Sequence, residues 1–303
     1  MYICIDLGGT NLRGTWINKS GKSGKVSIVA RPKSLEGTKE ALFVIIQEIK
    51  KDSPESAQKI GVASAGPMDL VGGIYLNPTN MPELKGFNLK NFISEKFGLD
   101  LVVENDAQAA ALGEIFKGCL SGEKDAIVFT LGTGLGSGVI INEDIWRGRL
   151  AAGPELGHLY LGPGRRIRCG CGQTGCAETW LNAEALKDLA ARNGIQVENP
   201  RELDYYLTKK DAQALKTLSQ YGRRLGLYLS QVVSIFGITK IGLGGGLSRL
   251  GPYFADSVHN TLIHRLAPRK WLIPEKICFS SDPEMSALWG MCFLMLRRSD
   301  ARD

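Results

Sequence analysis

The chain has 303 residues, 44% of them hydrophobic and 22% charged, an ordinary globular composition with enough length for two domains. Its 37 basic and 31 acidic residues are interspersed, and basic clusters such as RRIR (165–168) and KK (209–210) are short. That pattern describes a solvated surface rather than a nucleic-acid stripe, although a net charge of +6 suits a polyphosphate ligand. No apolar run reaches eighteen residues, and MYICIDLGG enters a strand pattern without a charged leader, so neither a membrane span nor a secretory signal is expected. Seven cysteines, an odd number, fit a reducing cytoplasm better than a disulfide framework.

YICIDLGGTNLRGTWI (2–17) predicts a strand, a glycine-rich turn and a second strand. Asp6 closes the first strand, and Gly8 and Gly9 let backbone amides approach an anion, with Thr10 and Asn11 beside them. Glycines alone would make the turn. An acidic residue ending the strand adds what a phosphate site needs to orient a hydrated Mg²⁺. A helix follows at 38–51. In LVVENDAQAAALGE a strand ends at Glu104, Asn105 and Asp106 before a helix over 106–117. Asn105 or Asp106 can cap that helix, and a carboxylate at the strand's C-terminal edge can also accept the proton of an attacking hydroxyl.

AIVFTLGTGLGSGVII (126–141) overlays 2–17 without a gap, so a duplicated domain with a second glycine-tipped hairpin is expected. No GxxxxGK[ST] occurs, and the VIIN that follows LGTGLGSG looks like a strand rather than the helix of a dinucleotide fingerprint. Next come His158, Cys169, Cys171 and Cys176, a Cys₃His set suited to tetrahedral Zn²⁺. Four protein ligands leave no open position, which makes such an ion structural. Cys4, Cys119, Cys278 and Cys292 sit in apolar contexts and read as core, while His259 and His264 are isolated. Helices are predicted at 179–192 and 211–236, the latter closed by Gly237, with ENPREL (198–203) as a loop. A third glycine cluster, Gly244 to Gly246, follows the apolar run KIGL. Strands alternating with helices make the class α/β with a mixed sheet in each half.

DLGGTN, AGPMD, ENDAQAAALGE, LGTGLGSG, ELGH and CxCGxxGCxE, in this order, resemble the ROK family of sugar kinases and repressors, from residue 3 to ALWGM near 291. The resemblance implies a two-domain actin-like ATPase (ribonuclease H-like) fold with an interdomain cleft. Residues 1–116, joined by a C-terminal helix 286–303, would form one domain, and 117–285 the other, carrying the zinc. It implies ATP-dependent phosphorylation of a hexose at its 6-hydroxyl, glucose foremost, with fructose, mannose, allose or an N-acylhexosamine as alternatives. Asp106 matches the general base. Gly66, Asn80, Asn105, Glu155, His158 and Glu178 match positions at the sugar. Asp6, Gly8, Gly9, Thr10, Asn11, Gly132, Thr133, Gly134, Gly136, Gly244, Gly245 and Gly246 match the ATP side, with Asp6 reaching Mg²⁺ through water. A cytoplasmic homodimer without nucleic-acid or membrane partners is implied too. Two departures are visible: Pro154 stands where many members have glycine, and TNMPEL where a PNLPGW-like run is common. Repressor members carry a helix-turn-helix ahead of the first glycine turn; here five residues precede Asp6, so the kinase class is expected.

Overall fold

The computed structural model describes residues 1–148, 152–163 and 167–300. Its strands are β1 (Tyr2–Leu7), β2 (Asn11–Ile17), β3 (Ser27–Ala30), β4 (Lys59–Ser64), β5 (Met68–Asp69), β6 (Ile74–Tyr75), β7 (Asp100–Asn105), β8 (Ala126–Leu131), β9 (Leu135–Ile141), β10 (Asp144–Ile145), β11 (Lys240–Gly244) and β12 (Lys276–Phe279). The helices are α1 (Leu35–Asp52), α2 (Leu89–Phe97), α3 (Asp106–Phe116), α4 (Glu178–Leu181), α5 (Ala183–Arg192), α6 (Leu203–Thr208), α7 (Ala212–Phe236), α8 (Gly251–Leu266) and α9 (Ser286–Asp300).

Two five-stranded sheets run in the orders β3-β2-β1-β4-β7 and β10-β9-β8-β11-β12. In the first, β1 and β2 are antiparallel, and β1, β4 and β7 are parallel. In the second, β8, β11 and β12 are parallel. The two glycine hairpins have the same strand bounds, 2–7 and 11–17 recurring at 126–131 and 135–141. These are the duplicated mixed sheets of the actin-like ATPase architecture. The chain divides into two compact units, Met1–Lys124 with Gly138–Gly153 and Asp282–Asp303, and Asp125–Ser137 with Pro154–Ser281.

In the first unit β1 is buried on both faces, which its unbroken apolar run requires. α1 begins where the Ser34 hydroxyl accepts from Gly37 N–H, and its apolar positions Ala41, Leu42, Ile45, Ile46 and Ile49 pack into the sheet's core. α9 packs along β1, β4 and α3. Its contact with α3 is backbone-close: a Cβ on Gly113 would fall 1.8 Å from Ser286 O, and one on Gly290 1.7 Å from Ala109 O. A side chain at either position would force the helices apart. Cys4 and Cys292 are buried here, whereas Cys119 and Cys278 are half-buried.

The predicted helix at 179–192 is two helices. Asn182 takes an extended conformation (ψ 175°) and caps α5 by accepting from Ala185 N–H at 2.9 Å. ENPREL is not a loop. Asn199 and Glu202 form a capping box over a short 3₁₀ turn, Pro200–Glu202, that leads into α6. α7 ends at Gly237 in the left-handed region (φ 70°), as the sequence indicates. Among the described residues no helix is long and apolar enough to cross a membrane. Arg165 and Arg166 of the RRIR cluster, and residues 301–303 of the expected C-terminal helix, lie outside the described residues.

Candidate active site

Parallel register brings the acidic residues of the first unit to one sheet edge. Asp6 aligns with Ala63 and Ala63 with Glu104; one step on, Leu7 aligns with Ser64 and Ser64 with Asn105. Asp6, one residue before the end of β1, therefore lies at the level where β7 passes into α3. Burial, and then the charge of Asp106, push the Asp6 carboxyl up to about 6, against the pull of Arg13. Arg13 is the residue facing Asp6 across the β1–β2 hairpin. The Asp106 carboxyl is also pushed up by burial, opposed by the backbone amides of Ala107 and of Asp106 itself. Two carboxyls thus share a poorly solvated edge, each raised above its ordinary value.

Asn105, not Asp106, is the helix cap. Its Oδ1 accepts from Ala107 N–H at 3.0 Å and from Gln108 N–H at 3.2 Å. Its amide Nδ2 is then the group left to donate outward. Asp106 occupies the first helical position and accepts from Ala107 N–H at 2.8 Å. Glu104 is wholly buried; one oxygen accepts from Asn105 N–H at 2.9 Å and the other pairs with Arg147. That pair fixes the strand end from behind. Below it, Ser64 Oγ and Tyr75 OH lie 2.7 Å apart, and burial pushes the Tyr75 hydroxyl up to about 12, so it stays protonated. Gly66 follows β4, joined to Pro67 by a cis peptide, and Asn80 is exposed just before a 3₁₀ turn, Pro82–Leu84.

In the second unit the Gly132–Gly136 turn and Gly244–Gly246 meet at the ends of β8 and β11, where Gly244 pairs with Thr130. Gly245 has φ 78°, and a Cβ there would stand 2.5 Å from Leu131 O, so only glycine fits. Thr133 is exposed at the tip, and Gly132 O accepts from Ala183 N–H at 2.8 Å. Glu178, at the start of α4, accepts from Leu135 N–H at 3.0 Å through Oε2. Its other oxygen lies 3.4 Å from Cys169 Sγ. Glu178 therefore ties the glycine turn to the cysteine cluster. Ser137, a residue with no role in the sequence reading, donates to Pro154 O at 2.8 Å and so positions the start of GPELGH. Glu155 is exposed, with Oε2 3.9 Å from His158 Nε2.

The donor atoms of His158, Cys169, Cys171 and Cys176 all lie within 4.8 Å of one another. Cys171 and Cys176 Sγ are 3.6 Å apart, and Cys169 Sγ is 3.5 Å from His158 Nδ1. A tetrahedral ion with bonds of ~2.3 Å to sulfur and ~2.0 Å to nitrogen gives edges of roughly 3.5–3.8 Å. The Cys171–Cys176 and Cys169–His158 pairs match those edges, with Nδ1 facing Cys169 and Nε2 toward Glu155. Arg168, between the ligands, is exposed and donates to Gly172 O at 3.0 Å.

A profile of the ROK family matches residues 2–298. The chain belongs to the ROK family. It is 29% identical to the glucokinase of Halalkalibacterium halodurans over 82% of this chain and 81% of that protein. It is also 29% identical to the xylose repressor of Bacillus spizizenii, over 78% of this chain but 61% of the repressor. A ROK family glucokinase from Streptomyces griseus, solved in complex with glucose and AMPPNP, superposes with a TM-score of 0.83 at 27% identity, covering 97% of this chain and 98% of that one. Membership agrees with the two mixed sheets and the paired glycine hairpins.

Proposed function

We propose that this ROK protein is an ATP-dependent sugar kinase that moves the γ-phosphoryl group of ATP to the 6-hydroxyl of a hexose, with glucose the preferred acceptor. The observation that carries this reading is the Asp6–Asp106 edge: two carboxyls with raised proton affinity, one beside a glycine turn and one at a helix start. Asp106 accepts the proton of the sugar hydroxyl, the freed oxygen attacks the γ-phosphorus, and the bond to the ADP oxygen breaks. Its raised proton affinity makes it a better base than a solvated aspartate. Asp6 orients the water shell of Mg²⁺, which when bound neutralises charge on the phosphates. The glycine turns Gly8–Asn11 and Gly132–Gly136 receive the phosphates, the first through the amides of Gly9 and Thr10, since those of Gly8 and Gly132 are spent on Asn11 O and Gly134 O within their own turns, and Gly244–Gly246 pack on the adenosine. Gly66, Asn80, Asn105, Glu155, His158 and Glu178 hydrogen-bond the sugar, Asn105 through the Nδ2 left over from capping. Intact phosphate-side residues support this over a repressor role.

The test is a panel of glucose, mannose, fructose, allose and N-acylhexosamines with MgATP, followed by coupled ADP release. The highest kcat/KM is expected with glucose. A higher value for another sugar reassigns the acceptor, and no turnover with any of them removes the kinase reading.

The ion at the Cys₃His site is, on this proposal, Zn²⁺. It closes the loop from His158 to Cys176, whose ends carry Glu155 and Glu178, and so presents three sugar-binding groups at fixed positions. Metal analysis of untreated protein should give one zinc per chain. Cys171→Ser should lose that zinc, lower the melting temperature and weaken sugar binding about 10–100-fold. Protein free of zinc as isolated, or a Cys171→Ser variant with wild-type melting and affinity, would remove the structural role.

A further inference from the structure

One side chain holds the Gly8–Thr10 turn from behind. Arg31 follows β3, and its side chain is fully buried. Its Nε donates to Gly8 O at 3.0 Å and its Nη2 to Gly9 O at 2.8 Å. Its backbone N–H donates to Thr10 O at 2.8 Å. Three consecutive carbonyls of the turn therefore face a single residue. In a planar trans peptide the N–H points opposite to the preceding carbonyl. The amides of Gly9 and Thr10 are consequently turned away from Arg31, while that of Gly8 is spent on Asn11 O at 3.0 Å. A Cβ on Gly9 would meet nothing within 4 Å, and Thr10 is exposed.

A buried guanidinium needs a counter-charge, and it comes from a different loop. Arg31 Nη1 lies 2.5 Å from Glu83 Oε1, and also donates to Thr38 Oγ1 at 3.0 Å. Burial works to raise the Glu83 carboxyl, but the Arg31 hydrogen bond, its own backbone and the charges of Arg31 and Lys33 outweigh it and hold it below the usual range. Glu83 is ionised at neutral pH. It lies in the 3₁₀ turn Pro82–Leu84, whose flanking Met81 and Leu84 are wholly buried, three residues after Asn80. Displacement of that turn moves Glu83, and with it the arginine that sets the amide directions at Gly9 and Thr10.

We infer that Arg31 and Glu83 are positioning residues that join the nucleotide-side turn to the sugar-side segment 80–84, so that binding of nucleotide and sugar is mutually reinforcing. The inference rests on the kinase reading for the sugar arm, while its nucleotide arm stands on the turn alone. Coupling of this kind is reciprocal: each ligand tightens the other by the same factor.

The test is calorimetric titration of the full chain with MgADP alone, with the sugar preferred in the panel, and with each in the presence of the other. In the wild type each ligand should tighten the other about fivefold or more. Glu83→Gln keeps the shape of the pair but leaves the guanidinium with neutral acceptors. It should weaken MgADP about tenfold, leave sugar binding alone within roughly threefold, and bring the coupling factor close to one. Arg31→Lys, which keeps the charge but has only three donors on one nitrogen for the four acceptors that the guanidinium reaches, should weaken MgADP further. Should that variant not fold, Glu83→Gln still decides, because its side chain is 20% exposed and tolerates the change. Wild-type MgADP affinity in Glu83→Gln, or a wild-type chain without coupling, overturns the link. A wild-type chain that binds MgADP but phosphorylates no sugar sinks the kinase reading instead.

Discussion

Asp106→Asn should lower kcat by about 10³-fold while sugar affinity changes by no more than roughly threefold. The structure makes this substitution a clean probe. The cap of α3 is Asn105, so the helix start does not depend on the Asp106 carboxylate. The hydrogen bond that Asp106 accepts from Ala107 N–H can be accepted equally well by the amide oxygen of asparagine. Burial already disfavours the ionised form, so a neutral side chain costs the fold nothing. What asparagine lacks is a lone pair basic enough to take the hydroxyl proton. ADP-release kinetics, sugar titration and thermal melting separate the possibilities. A kcat within tenfold of the wild type would take the role of base away from Asp106.

Asp6→Asn should make the protein more stable and far less active. In the folded chain this carboxyl titrates at about 6, against an ordinary 3.8. The folded state therefore keeps its proton to higher pH than the unfolded chain does. That contribution to stability is complete below the unfolded value and is lost as pH rises through about 6. At pH 7 the ionised Asp6 opposes folding, and asparagine removes the cost, a gain on the order of 2 kcal/mol. Catalysis moves the other way, because Asp6 is the group proposed to orient hydrated Mg²⁺, and kcat/KM should fall about 10²–10³-fold. Wild-type activity should likewise decline as pH falls through about 6. Denaturant melts at pH 7 and pH 4.5 test the stability arm. A variant less stable than wild type at pH 7, or as active, contradicts the assignment.

The two glycine hairpins were legible in the sequence because both determinants are local: apolar runs for the strands and glycines at the turn, repeated 124 residues on (126 − 2). The Cys₃His cluster was legible for the same reason, since spacing alone limits which donors can converge. Local sequence left Asn105 and Asp106 as equal candidates for the cap, because either short polar side chain can accept from the first helical amides. Only the folded structure separates them. ENPREL carries its answer in an Asn followed three residues later by Glu, the signature of a capping box within a loop-like composition. Arg13 follows once the hairpin register is known, as the residue facing Asp6. Arg31, Glu83, Ser137 and Arg147 had no such signal. Each acts through a partner at least 17 residues away, and nothing local marks them.

The proposed reaction moves phosphate from ATP to a hexose by way of Asp106. The direct measurement is transfer from γ-labelled ATP to glucose by the wild type and by Asp106→Asn, with the labelled position assigned by phosphorus–proton NMR. Label is expected on the 6-oxygen of glucose in the wild type, with about 10³-fold slower labelling in the variant. Label on no sugar of the panel, or equal labelling by the two proteins, would contradict it.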